Sequence, residues 1–151
     1  MTVIQDLNAD RKQWMSLLAK CDAAELDGAW RALDRSFDHQ VLRAPEVGSV
    51  MVRGRAGAVG APFNLGEITV TRCSVRLSSG QDGHAYVQGR DKTKALRAAL
   101  LDAGMQTSAA SDIRDKVLTP LSTAATHRQT TRAAKAAATK VDFFTMARGE
   151  D

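Results

Sequence analysis

The chain has 151 residues, 44% of them hydrophobic, enough for one globular domain that buries roughly two thirds of its unfolded surface. Lys and Arg number 21 against 17 Asp and Glu, a formal net charge of +4, which suits an anionic partner but does not by itself define a nucleic-acid binder. Cys21 and Cys73 stand alone with no C-x-x-C spacing, no basic n-region opens the chain, and no run approaches the ~18 apolar residues of a membrane span, so we expect a cytoplasmic protein with no disulfide, metal or cofactor of its own.

Asp10-Arg11-Lys12-Gln13 has the form of a capping box, and Trp14, Leu17, Leu18 and Cys21 follow at i, i+3, i+4 and i+7, which predicts a first helix. Asp22 with Glu25 repeats the signal ahead of Leu26, Trp30 and Leu33, and the two helices are expected to pair as a hairpin over residues 1–37. Both tryptophans read as core residues.

From residue 38 to 89 the apolar period is two. His39–Ala44 and Ser49–Arg55 read as strands joined by a turn at Pro45-Glu46-Val47-Gly48. In the second of them Val50 and Val52 face the core, and Met51, Arg53 and Arg55 share the opposite face. Gly54–Gly66 reads as a long glycine-rich loop that docks a partner or approaches an anion. Gly66–Leu77 and His84–Gln88 form a hairpin about Ser78–Gly83. The apolar parity changes near Thr71 and Arg72, where a bulge or bend would restore one core face. The expectation is an α+β fold with a four-stranded antiparallel sheet.

Residues 90–140 are expected to be helical. Asp91 caps a helix with Leu96, Leu100 and Ala103 on its apolar stripe and Lys92, Lys94, Arg97 and Asp102 on its polar side. After a break at Thr107–Ser111, Ile113, Val117, Leu118 and Leu121 resume the pattern. Thr119-Pro120 starts a further helix reaching about Thr139, which beyond Leu121 carries only small apolar residues with His127, Arg128, Arg132, Lys135 and Lys140. The terminal segment 141–151 holds Phe143, Phe144 and Met146, an apolar cluster suited to anchoring in a groove, the chain's own or a neighbour's, and taken as a partner-docking tail.

His39, His84 and His127 lie on separate elements, outside any recognisable nucleophile motif, and no carboxylate pair or H-x-x-x-H spacing points to acid–base or metal chemistry. No catalytic residue is identified. Arg53, Arg55, Arg72 and Arg90 are the candidate anion contacts, provided the fold brings them together. A helix-turn-helix at residues 10–33 lacks the basic cluster that base and phosphate contacts require, so a free-standing nucleic-acid binder is a weaker reading.

Leu42–Gly48, Gly66–Leu77, Gly89-Arg90-Asp91-Lys92, Val141–Gly149 and Arg11-Lys12-Gln13-Trp14-Met15 together resemble PhnG, the G subunit of the bacterial carbon–phosphorus lyase complex, nearly end to end and in order. The resemblance implies a subunit needed, with the I, H and L proteins, to transfer the ribose triphosphate of ATP to methylphosphonate with release of adenine. The product is ribose 1-methylphosphonate 5-triphosphate. It implies assembly with the I subunit as the closest partner and with the H and J subunits, homodimeric within a two-fold hetero-oligomer, with no membrane. The nucleosidase-like chemistry then falls to the I subunit and the iron–sulfur radical chemistry to the J subunit. This chain would act as a scaffold or, alternatively, lend basic residues to a shared nucleotide site.

Overall fold

The computed structural model describes residues 2–141. Helices α1 (Thr2–Lys20) and α2 (Ala23–Leu33) lead into strands β1 (His39–Arg55), β2 (Pro62–Leu77) and β3 (Asp82–Gln88). Helix α3 (Lys92–Gly104), the short α4 (Ala110–Ile113), a π turn (Arg114–Leu118) and α5 (Thr119–Ala138) complete the chain. The sheet is antiparallel, in the order β1-β2-β3. It therefore has three strands and not the expected four.

The missing strand has a local cause. Pro45-Glu46-Val47-Gly48 does not reverse the chain; it is absorbed into β1 as irregularities in register between Val41 and Arg43 and between Arg43 and Glu46. Pro45 lacks a ladder donor, which an edge strand tolerates, and Arg43 is tied to Glu46 across the irregular stretch at 2.9 Å. With β1 and β2 both extended, the expected loop at 54–66 shrinks to residues 56–61. Gly57 supplies a positive φ of 56° there, and a Cβ at Gly60 would lie 2.6 Å from the carbonyl oxygen of Ala56. These two glycines serve a tight reversal.

The core lies between the sheet and α3. Thr71, Cys73, Val75 and Leu77 of β2, with Gly83, Ala85 and Val87 of β3, are buried on one face, as the alternation requires. Gly83 is needed for this layer, because a Cβ there would stand 2.0 Å from the carbonyl oxygen of Ala99 in α3. Asp91 caps α3 by accepting from Lys94 N at 2.8 Å, and Asp22 caps α2 by accepting from Ala24 N at 2.8 Å. Two residues expected on the solvated side of α3 are instead buried, Asp102 at 0% exposure and Lys94 at 7%. Lys94 Nζ donates to the carbonyl oxygens of Ala19 and Cys21 and so closes the end of α1.

Helix α1 begins at Thr2, eight residues before the Asp10 capping box, because nothing in residues 3–9 interrupts a helix already nucleated. It packs on β3 and α3, while α2 packs on α3, the π turn and α5. The main packing partners of the two helices are thus on different elements. Trp14 and Trp30 are only partly buried; Trp30 packs on Phe37, with ring centroids 6.0 Å apart, and under the Arg97 guanidinium.

The helix does not start afresh at Thr119-Pro120. It runs on from α4 through the π turn, whose wider coil ends just before Pro120. Such a turn accommodates the missing N–H and the ring of a proline that would disrupt a regular α-helix. Ile113, Val117, Leu118 and Leu121 are buried as the periodicity indicates, and from Thr126 onward α5 is exposed on every side. The expected docking cluster of Phe143, Phe144 and Met146 lies outside the described residues.

Candidate functional site

The parity change near Thr71 is real, and no bulge in β2 cancels it. From Val70 to Arg76 β2 pairs with β3 in unbroken register; the irregularities belong to β1 and to the far hairpin near Val52 and Arg53. The apolar residues beyond Thr71 therefore face away from the core. Val50 pairs with Ile68, Val52 with Gly66 and Gly54 with Phe63, and directly opposed residues share a face. Val50 and Val52, expected from the sequence to face the core, are instead half-buried members of this outward stripe. Phe63 is 46% exposed, Leu65 65% and Ile68 38%.

Residues 49–55 and 62–69, which lie beyond the pairing of β2 with β3, thus form a projecting two-stranded arm. At about 3.3 Å per residue its β1 segment, residues 49–55, spans about 23 Å. Met51, Arg53 and Arg55 lie on the face opposite the apolar stripe, as the alternation predicted, together with Glu67, which accepts from Ser49 Oγ at 3.1 Å. Arg53 and Arg55 have no carboxylate partner among the described residues.

The outer face of the sheet at the base of the arm carries a second polar group. Arg72, Ser74 and Arg76 of β2 oppose Tyr86, His84 and Asp82 of β3, and Arg43 and Glu46 continue the patch on β1. Arg72 donates to Glu46 at 2.6 Å. Its pKa is raised above the ordinary arginine value, first by the hydrogen bond with Tyr86 and then by Glu46. Arg76 grips Asp82 with two hydrogen bonds, 2.6 and 2.7 Å, which hold that carboxyl below its usual value. Three arginines meet two carboxylates here, leaving the patch basic.

The four candidate arginines are not brought together. Arg53 and Arg55 sit near the arm tip on one face, Arg72 at its base on the other, and Arg90 in the turn leading to α3. Eight residues of β2 separate the cross-strand partner of Arg53 from Arg72, about 26 Å of strand. A single triphosphate is too short to engage all four.

One pairing escaped the sequence reading. Ser74 Oγ and His84 Nδ1 are 2.9 Å apart across β2 and β3, a neighbour relation that follows from counting the hairpin register around Ser78–Gly83. The His84 ring has no carboxylate hydrogen-bonded to its second nitrogen among the described residues, the orienting contact of a catalytic triad. The two cysteines are buried, and desolvation pushes both thiols up from their ordinary value, which suits packing and not nucleophilic chemistry.

The buried centre of the polar network is Asp102. It accepts from Arg11 Nε at 3.1 Å and Nη2 at 2.7 Å, from Trp14 Nε1 at 2.9 Å and from the backbone N–H of His84 at 2.9 Å. Arg11 Nη2 and Gln106 Nε2 also donate to the carbonyl oxygen of Asp82. These side chains stand where a further strand would pair and close the outer edge of β3. The Asp102 hydrogen bonds raise the Arg11 pKa despite partial burial. Beside this network an open cleft of about 440 Å³ lies between α1 and β3, lined by Met15, Leu18, Ala98 and Tyr86 among others.

An α+β protein whose accessible chemistry consists of arginines and an apolar ribbon is equipped for binding, by charge on one face and by burial on the other. Residues 9–149 match the family model described as phosphonate metabolism protein PhnG, and the chain belongs to that family. It is 44% identical over 143 residues to the alpha-D-ribose 1-methylphosphonate 5-triphosphate synthase subunit PhnG of Rhizobium meliloti (strain 1021), an alignment covering 95% of this chain and 92% of that relative.

Proposed function

We propose that this chain is a scaffold subunit of an alpha-D-ribose 1-methylphosphonate 5-triphosphate synthase acting in phosphonate catabolism in the cytoplasm. Its partners are the I subunit first, then the H and J subunits and the L protein of a carbon–phosphorus lyase system. The assembled proteins transfer ribose triphosphate from ATP to methylphosphonate and release adenine; this chain holds the I-like subunit in its working form. The relative's name supports the assignment to the synthase. The observation that carries the scaffold role is the arm, whose apolar face is solvent-exposed in the isolated chain. Apolar area of that kind gains stability when a partner covers it.

The alternative, that this chain lends arginines to a shared nucleotide site, is favoured by Arg53 and Arg55, which lack carboxylate partners among the described residues. One set of measurements separates the two. The chain alone, the other synthase subunits alone and the reconstituted mixture are assayed for adenine release from ATP and methylphosphonate. Activity only in the mixture is expected, with assembly lost before turnover when the arm is altered. Adenine release by the isolated chain would overturn the scaffold reading. Arg53→Gln or Arg55→Gln that leaves assembly intact but lowers ATP affinity would favour the shared site.

A further inference from the structure

We propose that the arm is an insert clasped on both faces by a protein subunit of different sequence, one that offers an apolar groove to Val50, Val52, Phe63, Leu65 and Ile68 and carboxylates to Arg53 and Arg55. The choice of partner rests on the subunit reading above.

Three observations fix the kind of occupant. The first is area. A ribbon about 23 Å long and about 10 Å wide offers about 230 Å² per face, under a third of the ~800 Å² that each partner of a standard interface buries, so a partner that covered one face alone would hold it weakly. The second is chemistry. The apolar stripe carries no charged side chain, while the opposite face bears Arg53 and Arg55 without carboxylate partners. A second copy packed on the apolar stripe would leave both arginines unanswered, and one packed on the other face would bring the arginines of both copies against only the Glu67 carboxylates, each already bound by Ser49. A groove with an acidic lip answers both. The third is the edge. Pro45 and two irregularities in register break the free edge of β1 only at the base of the arm, and a strand added along the arm itself would leave its apolar face and its arginines uncovered. Recognition therefore passes through the faces. The cross-strand pair Val50–Ile68 and the diagonal hydrogen bond from Ser49 to Glu67 hold the ribbon in register until it is covered.

The test uses the full chain, free and reconstituted with the other synthase subunits of the same genome. Backbone amides of residues 49–69 are followed by hydrogen exchange in both states, and affinity for the remaining subunits is measured for two double variants. The arm amides are expected to exchange about 100-fold more slowly in the complex. Val52→Asp with Leu65→Asp is expected to weaken assembly about 100-fold. Arg53→Glu with Arg55→Glu should weaken it about tenfold and reduce its dependence on salt. The wild-type exchange measurement keeps the idea testable if the aspartate variant disorders the hairpin. A complex that assembles and releases adenine while its arm exchanges as in the free chain overturns the insert and leaves the subunit role standing. Failure to assemble with any synthase subunit overturns both. Concentration-dependent dimerisation of the isolated chain that protects the same amides would make the occupant a second copy and overturn this proposal.

Discussion

Strand β2 passes through two environments. From Thr71 to Leu77 every second residue is buried against α3, whereas from Pro62 to Ile68 all residues are exposed. Both halves pair with β1 and both carry branched or aromatic side chains, so strand formation is common to them. What differs is the layer behind. The inner half is held by a core, and the arm only by its partner strand and cross-strand contacts, a two-stranded arrangement that is marginal in water. Stability is therefore concentrated in the body and interaction surface in the arm.

The strongest way to break that contrast is to remove the centre of the body. Asp102 is fully buried and accepts four hydrogen bonds that join α1, α3 and β3. Asp102→Ala leaves the Trp14 indole and the His84 amide without their acceptor and the Arg11 guanidinium without its counter-charge. Arg11 is a third exposed, so the cost falls chiefly on the donors left without an acceptor, about 1–3 kcal/mol each, and urea unfolding of the isolated chain should show a loss of about 3 kcal/mol. A change below about 1 kcal/mol would mean that water replaces the carboxylate and that Asp102 is not the hub.

Next in size is Gly83→Ala. The added Cβ meets the carbonyl oxygen of Ala99 at 2.0 Å and the backbone nitrogen of Ala103 at 2.8 Å. Backbone cannot swing aside as a flexible side chain does, so sheet and helix must separate. Overpacking of this kind costs about 1–3 kcal/mol, to be read as a lower thermal midpoint. Because the strain lies between β3 and α3, amides of the arm should exchange as before.

The sequence made the local half of this architecture readable. Asp22 and Asp91 announce their caps, the Ser78–Gly83 turn sets the β2–β3 hairpin, and alternation places Arg53 and Arg55 opposite Val50 and Val52. What stayed hidden depends on contacts distant in the chain. Asp102 has the helical position of a solvated residue, and its burial depends on Arg11, 91 residues earlier. The Pro45–Gly48 signal is compatible with a turn or with an irregular edge strand, and only the length of β2 decides between them. For the candidate site, parity shows where each arginine points but not that a long arm separates Arg53 from Arg72.

A smaller effect tests whether the outer face contributes to the body. Arg76 holds the Asp82 carboxyl below its ordinary value, so the folded state binds a proton less readily than the unfolded chain. The resulting stabilisation is present above the unfolded carboxyl value, near pH 4, and is lost as pH falls through the lower folded value. Both side chains are solvent-accessible, and screening keeps the effect small. Asp82→Asn should flatten the acid limb of stability below about pH 4. An unchanged limb would remove the Arg76 pair from the account.

The smallest expected effect is on the arm itself. Leu65 is a leucine on a strand, the kind of residue whose truncation in a core costs about 2–5 kcal/mol, yet it is 65% exposed and lies where the register of β1 and β2 is already irregular. Leu65→Thr keeps a β-compatible side chain and removes apolar surface that water already reaches. Unfolding of the isolated chain should therefore shift by no more than about 0.5 kcal/mol, while affinity for the reconstituted subunits falls. The two readouts must part company for the contrast between body and arm to hold. If stability of the isolated chain drops as it would for a core leucine, the arm is packed against its own chain in solution, and its apolar face is already covered before any partner arrives.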